Sequence, residues 1–103
     1  MFVFPVPSGS PQNFSATDIS PQSATLVWNP PPSEEQNGNI TAYIINASVV
    51  GTGERFQLIS ESTVLGVNVL IPFTTYSILI AASTSVGTGP FSPELVLQTP
   101  EDG

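Results

Sequence analysis

The sequence predicts an all-β fold, a seven-stranded antiparallel sandwich, from three observations. Its 103 residues match the usual size of a single domain. Eleven prolines and eight glycines divide the chain into short segments, and none of these has the apolar periodicity of a helix. Between the breaks, apolar and polar residues alternate, and valine, isoleucine, threonine and aromatic residues predominate, as is typical of half-buried strands. Seven such segments at regular spacing favour two sheets packed face to face.

Turn signals separate the predicted strands. In chain order, the strands cover residues 13–18, 23–29, 40–49, 54–59, 64–69, 75–84 and 94–99. The breaks between them include three consecutive prolines, Asn37-Gly38, Gly51-Thr52-Gly53 and Gly87-Thr88-Gly89-Pro90. Alternation along the strands predicts one shared interior, formed by Ala24, Leu26, Trp28, Ile40, Tyr43, Ile45, Ala47, Leu65, Val67, Tyr76, Ile78, Ile80, Ala82, Leu95 and Leu97.

The domain is expected to cover residues 11–99. Residues 1–10 begin with an apolar run that is short, interrupted by proline and without a basic flank, so we predict a linker or added leader rather than a signal peptide. Residues 100–103 are predicted to be a C-terminal linker between domains. Seven strands running alternately up and down put the two ends of the domain at opposite poles, which suits a module threaded into a string.

The charge composition restricts the possible partners. Eight acidic residues face a single basic residue, Arg55, and lysine and histidine are absent, which gives a net charge of −7. Binding to nucleic acid requires several lysines or arginines to replace the counterions of phosphate, so it is excluded. The same composition argues against direct attraction to anionic membranes. The expected partners are other protein domains and neighbouring repeats of the same chain, and the isolated domain is expected to be a monomer.

The residue inventory also argues against catalysis. The chain has no histidine, lysine or cysteine, which removes the usual general bases and the thiol nucleophile. Glu34-Glu35 and Glu101-Asp102 lack the alternating acidic pattern that surrounds calcium, so no metal and no cofactor are predicted. A carbohydrate-binding or carbohydrate-processing sandwich stays open as the alternative, although sugar sites usually need exposed aromatic rings and Trp28 is on the buried register.

Five short patterns occur in one order over about residues 10–100. They are residues 11–20 (PQNFSATDIS), 23–31 (SATLVWNPP), 37–45 (NGNITAYII), 70–76 (LIPFTTY) and 86–92 (VGTGPFS). Together these patterns resemble the fibronectin type III family, whose members have a seven-stranded immunoglobulin-like sandwich. The resemblance identifies Trp28, Tyr43, Leu70 and Tyr76 as structural core residues. It also implies that the Tyr76 hydroxyl bonds to backbone a few residues upstream, as in the tyrosine corner of related sandwiches.

The resemblance implies a function as well. The chain is expected to be a non-catalytic extracellular spacer and protein-interaction module from a tandem array in a receptor or adhesion protein. Its closing residues, Thr99-Pro100-Glu101-Asp102-Gly103, resemble repeat junctions in receptor-type tyrosine phosphatases, with tenascin-like and other adhesion proteins as alternatives. Integrin binding through an Arg-Gly-Asp tripeptide is not carried over, because residues 87–90 read Gly-Thr-Gly-Pro.

Two kinds of surface site are predicted. Asn13, Asn39 and Asn46 each begin an Asn-x-Ser/Thr sequon without proline in the middle, so all three are predicted glycosylation sites if the chain is secreted. Ile44, Leu79 and Ala81 are expected on one outward sheet face, where they would form an apolar patch for a partner. Asn46 is expected on that same face, so a glycan there and a docked partner would compete for one surface.

Overall fold

Eight strand segments, arranged in two antiparallel sheets, make up the sandwich in the computed structural model, which describes residues 6–101. They are β1 (Gln12–Thr17), β2 (Ala24–Asn29), β3 (Ala42–Val49), β4 (Arg55–Ser60), β5 (Val64–Val67), β6 (Thr75–Ser83), β7 (Thr88–Phe91) and β8 (Leu95–Gln98). A single 3₁₀ turn, Ser33–Glu35, lies between β2 and β3. The predicted all-β sandwich is confirmed.

The two sheets contain seven strand positions. One sheet has the order β1-β2-β5, and the other has the order β4-β3-β6, with both β7 and β8 paired to the remaining edge of β6. β7 pairs with the end of β6 and β8 pairs with its beginning. These two segments therefore share one strand position, and the second sheet has four positions.

The last strand position differs from the sequence prediction. Residues 88–91 were expected in a loop because glycine and proline surround them, and this expectation is wrong: they pair with β6. Pro90 is tolerated there because β7 is an edge strand, where a missing N–H need not break the sheet. The ladder is interrupted at Ser92, whose N–H donates to the Ile80 carbonyl at 2.8 Å and whose hydroxyl accepts from the Ile80 N–H at 3.2 Å. Pro93 follows and has no N–H to give.

Trp28 connects the two sheets in the core. Its ring is 4% exposed and makes edge-to-face contacts with Tyr43 of the other sheet, at a centroid distance of 5.4 Å, and with Phe14 of its own sheet, at 6.1 Å. Such pairs add about 0.5–1.5 kcal/mol beyond the area they bury. A void of about 10 Å³ between the sheets is lined by apolar side chains such as Leu26 and Ile45, and it is far below the size of a small-molecule site.

Tyr76 fixes the connection between β5 and β6. Its ring is buried and packs edge-to-face on Phe56, while its hydroxyl accepts a hydrogen bond of 2.8 Å from the backbone N–H of Ile71. Leu70, the neighbour of Ile71, is also buried in the core. This is the geometry that the sequence predicts for Tyr76.

Residues 6–10, which the sequence assigns to a linker, lie against the sandwich. Pro7 and Gly9 are buried, and the N–H of Ser8 donates to the carbonyl of Glu35 at 2.8 Å. A Cβ on Gly89 of β7 would lie 2.5 Å from the carbonyl oxygen of Pro7, so Pro7 crosses β7 where only glycine leaves room. Residues 1–5 of the predicted linker lie outside the described residues, and the boundary at residue 10 stays a prediction.

The C-terminal end of the domain is attached to the opposite pole. Thr99 is fully buried and its N–H donates to the Thr74 carbonyl at 3.0 Å, while its hydroxyl donates to the Ile71 carbonyl at 2.6 Å. The carbonyl of Pro100 accepts from the Phe73 N–H at 3.0 Å. Residues 102–103 of the predicted linker are not among the described residues. The nine residues of β6 extend about 30 Å at the usual rise of a strand, from this attachment to the pole at which β7 pairs with the end of β6.

Replacing Tyr76 by phenylalanine should destabilise the domain. Tyr76→Phe removes the acceptor of the Ile71 N–H, and an unpaired, partly buried donor costs about 1–3 kcal/mol. Urea unfolding measures the change. Tyr43→Phe is the matched control, because no described residue bonds the hydroxyl of Tyr43 while its ring is equally buried. Equal unfolding midpoints for the two variants would contradict the role given to the corner bond.

Tyr43 should make the domain less stable at alkaline pH. Burial raises the pKa of the Tyr43 hydroxyl above its ordinary value, so the folded chain keeps this proton to a higher pH than the unfolded chain does. The stability gained by burying the neutral Tyr43 hydroxyl is fully present below a pH of about 10 and is lost as the pH rises further. Denaturant unfolding measured from about one pH unit below that value to about one unit above it should show this decline. Tyr43→Phe should reduce the decline, and an unchanged decline in this variant would contradict the prediction.

A side chain on Gly89 should detach the N-terminal segment. Gly89→Ala places a Cβ against Pro7, and forcing an extra carbon into a packed contact costs about 1–3 kcal/mol. Gly66→Ala in β5 is the control, since its Cβ would meet nothing within 4 Å. Thermal unfolding and amide exchange of Ser8 would record the effect. An unchanged melting temperature together with unchanged protection of Ser8 would show that the segment does not depend on Gly89.

Candidate interaction surface

The predicted partner residues Ile44, Leu79 and Ala81 lie on the outer face of the four-position sheet. Strand pairing places Ile44 between Ile59 of β4 and Ala81 of β6. Asn46 lies in the same way between Gln57 and Leu79, and Ser48 lies between Arg55 and Ser77. Across β4, β3 and β6 the outer face is therefore made of three rows, the first apolar, the second mixed and the third polar. The third row continues to the apolar, exposed Val96 of β8, which pairs with Ser77.

We call the first row, Ile59, Ile44, Ala81 and Phe91, the apolar row. Ile59 is 61% exposed and Phe91 is 39% exposed, and Phe91 extends the row because it pairs with Ala81. Ile44 is half-buried between them. The exposed apolar surface is therefore concentrated at the two edges of the sheet.

The prediction that Ala81 belongs to an accessible partner face is wrong. Ala81 is fully buried, at 0% exposure. It points outward by alternation, but Ile44 and Phe91 lie directly opposite it on the two neighbouring strands. Residues so paired have Cβ atoms roughly 5 Å apart, so the larger side chains cover the methyl group.

Two members of the apolar row were missed at the level of sequence. Ile59 could have been found from β4, since inward Phe56 and Leu58 fix Ile59 as outward by alternation. Phe91 carried no such signal, because its strand contains a glycine and a proline and forms only through pairing with β6.

The second and third rows border a concavity of about 540 Å³. It is lined by Asn46, Ala47, Ser48, Arg55, Phe56, Gln57, Ser77 and Leu79. The Gln57 side-chain amide donates to the Asn46 side-chain oxygen at 2.9 Å, and the Ser77 hydroxyl donates to the carboxylate of Glu94. Arg55, the sole basic residue of the chain, is exposed at the rim. This concavity, which we call the outer groove, is rich in hydrogen-bond donors and has Leu79 within it.

The three sequon asparagines lie in different parts of the molecule. Asn13 is exposed on β1, at a bulge where its φ is 56°, and asparagine tolerates such a left-handed conformation better than most residues. Asn39 is exposed in the loop before β3. Asn46 is half-buried in the middle of β3 and borders the outer groove. Glycosylation at the three sites stays a prediction.

The described residues offer no assembled metal-binding group. Within residues 6–101, no three histidine, cysteine, aspartate or glutamate side chains come close enough to hold a metal ion. Glu34 and Glu35 lie in the 3₁₀ turn, and Glu101 is exposed at the end of the described range. Asp102 lies outside that range. In the same residues, no helix has the length and apolar character needed to cross a membrane.

Trp28 does not provide the exposed aromatic surface that a sugar-processing or sugar-binding sandwich would need. This ring is buried between the sheets, where it cannot stack on a ligand. The large aromatic side chains exposed among residues 6–101 are Phe73 and Phe91, which belong to different parts of the molecule, the loop before β6 and the edge strand β7.

Comparisons with known proteins agree on one family. The family model of the fibronectin type III domain matches residues 9–98. Receptor-type tyrosine-protein phosphatase F of Bos taurus is 37% identical over 94 residues, which are 91% of this chain and 5% of that protein. Cell adhesion molecule DSCAM of Homo sapiens is 37% identical over 103 aligned positions, covering 93% of this chain and 5% of that protein. The chain therefore spans about one twentieth of these relatives.

A solved structure supports the same assignment. The FN5 domain of Drosophila Lar superposes with a TM-score of 0.75 at 35% identity, and the match covers 94% of this chain and all of that domain. The similarity includes both sheets, so the order of strands described above is that of a known architecture.

Proposed function

Because the chain belongs to the fibronectin type III family, we propose that it is a non-catalytic spacer and protein-interaction module in the tandem array of an extracellular receptor or adhesion protein. The relatives are receptor-type and adhesion proteins, and the chain shares their extracellular location. The phosphatase activity in the name of one relative is not carried over, because the match covers 5% of that protein. This chain also has no cysteine, histidine or lysine with which to perform it.

The observation that supports the spacer role is that residues 7 and 99, near the two ends of the domain, are attached at opposite poles. Pro7 is packed on Gly89 beside the end of β6, and Thr99 is hydrogen-bonded to Thr74 at its beginning. Tension applied to the ends is therefore directed along the strands. A module held in this way keeps a defined length between its neighbours.

The apolar row supports the interaction role. Ile59 and Phe91 expose apolar surface at the two edges of the sheet, and patches of this kind on soluble domains often mark partner sites. A net charge of −7 disfavours partners that are also strongly acidic. We therefore propose that the occupant is another protein domain that offers an apolar surface with neutral or basic surroundings.

The spacer role is tested with a protein made of several copies of this chain joined head to tail. Small-angle scattering should show that the longest dimension grows by about 30 Å or more per copy, since each copy adds at least the length of β6. Each copy should unfold at the denaturant concentration of the single domain. Copies that fold back on one another, with a length that does not grow in proportion to their number, would contradict the proposal.

The interaction role is tested by removing apolar surface from the row. Ile44→Ser combined with Ile59→Ser should weaken binding to extracellular domains that the unmodified domain captures in a binding panel. Val64→Ser is the matched control, since Val64 is 48% exposed but lies on the other sheet. The binding energy of such interfaces is usually concentrated in a few residues, each costing about 1–4 kcal/mol on truncation. Equal binding by the double variant and the control would exclude the row as the contact surface.

A further inference from the structure

We propose that Asn46 carries an N-linked glycan whose first sugars lie in the outer groove and cover Arg55 and Leu79. The inference rests on the extracellular location in the proposed function, because N-glycosylation requires passage through the secretory pathway. It goes beyond that function in selecting Asn46 among the three sequons and in assigning the outer groove an occupant.

The side chain of Asn46 is oriented for this modification. Its oxygen already accepts the hydrogen bond of 2.9 Å from the Gln57 amide, and glycosylation leaves that oxygen in place. The sugar bonds to the other atom, Nδ2, which donates to no described residue. The contact that orients the asparagine side chain can therefore persist after the sugar is attached.

The outer groove has the volume and chemistry to hold the first sugars. It is an open concavity of about 540 Å³ on the outer face of the sheet, so sugars attached to Asn46 can lie in it while the rest of the glycan extends into solvent. Arg55 and Gln57 supply N–H groups for the hydroxyl and acetamido oxygens of N-acetylglucosamine. The Ser77 hydroxyl already donates to Glu94, and its oxygen can accept from a sugar hydroxyl. Leu79 lies directly opposite Asn46 in the strand register, so a sugar attached to Asn46 would place one of its C–H faces over Leu79.

The other two asparagines lack these surroundings. Asn13 belongs to the opposite sheet and Asn39 to a loop before β3, and neither lines the outer groove. A glycan on either residue would extend into solvent. Asn46 is thus the sequon at which a glycan would contact the folded domain over its first sugars.

The transfer step requires a lipid-linked oligosaccharide as co-reactant. A bond forms between Nδ2 of Asn46 and C1 of the first N-acetylglucosamine, and the bond between C1 and the pyrophosphate oxygen of the donor breaks. The lipid pyrophosphate leaves with the electron pair of that bond, and one amide proton passes to a base of the transferase. No oxidation or reduction takes place.

The glycan would also limit the surface that a partner can use. The sugars would cover the second and third rows, which contain Leu79, Gln57 and Arg55. The apolar row is the next row on the same face, two positions along each strand, at Ile44 and Ile59. It stays accessible at its edges. A partner would therefore contact the molecule through the apolar row rather than through the outer groove.

Secretion of this chain from eukaryotic cells, with an added signal peptide, tests the proposal. Site-resolved mass spectrometry should find hexosamine on Asn46. Arg55 is the single basic side chain, so its modification by phenylglyoxal can be followed by mass spectrometry of the peptide that contains it, apart from any reaction of the N-terminal amine. The reaction should be several-fold slower in the secreted protein than in the same chain made in bacteria, and it should regain the bacterial rate in the secreted Asn46→Gln variant.

Two controls separate the possible causes. Asn39→Gln removes a sequon outside the groove and should leave the slow reaction of Arg55 unchanged. Ser48→Ala removes the Asn46 sequon while keeping Asn46 itself, and it should restore the fast reaction. Circular dichroism of each variant establishes that the sandwich is retained, so that a fast reaction is not a result of unfolding.

Either of two results would overturn the inference. A secreted protein with sugar on Asn13 or Asn39 but none on Asn46 excludes the site. Sugar on Asn46 with an unchanged Arg55 reaction excludes its position in the outer groove. Neither result bears on the spacer role, which the scattering experiment on joined copies tests separately with unglycosylated protein.

Discussion

The contact of Trp28 with Tyr43 across the sandwich is the interaction on which the other features depend. It fills the middle of the molecule with aromatic surface from both sheets and leaves a void of only about 10 Å³ nearby. Two sheets closed on one another in this way have no interior room for a ligand. Whatever the chain binds must therefore contact the outer faces or the poles, and this restriction follows from packing rather than from the absence of any particular residue.

The fixed ends follow from the same closed core. Since the strands run the length of the sandwich, the loops lie at its two poles, and the described segment before β1 and the one after β8 are each hydrogen-bonded to the loop beside them. Thr99 is bonded to Thr74 at one pole, and Ser8 is bonded to Glu35 at the other. The backbone groups that would otherwise lack partners at the chain ends are satisfied by these bonds. A module whose ends are held by its own hydrogen bonds keeps its neighbours at a defined distance from one another, which is the physical basis of a spacer.

Much of the fold was accessible from local pattern, whereas the candidate surface was accessible only in part. The burial of alternate residues along β3 and β6 follows from period-two alternation, and the Tyr76 corner was implied by the family resemblance. Residues 88–91 were assigned to a loop because glycine and proline have poor strand propensity, yet pairing with β6 outweighs that propensity at an edge. Alternation correctly predicts that Ala81 lies on the outward face, but the direction of a small side chain does not show whether larger neighbours cover it.

The sequence by itself determined the fold class, the inward residues, the lack of catalytic side chains and the positions of the three sequons, because each of these depends on residue identity or on neighbours a few positions away. Tertiary structure decided which segments pair, that Ile59 and Phe91 share a row with Ile44, and that Asn46 borders a groove with Arg55. The last two of these relations join residues between 9 positions apart, Asn46 and Arg55, and 47 positions apart, Ile44 and Phe91. Contacts over such separations are set by the register of whole strands and the packing of the two sheets, which no local window of sequence contains.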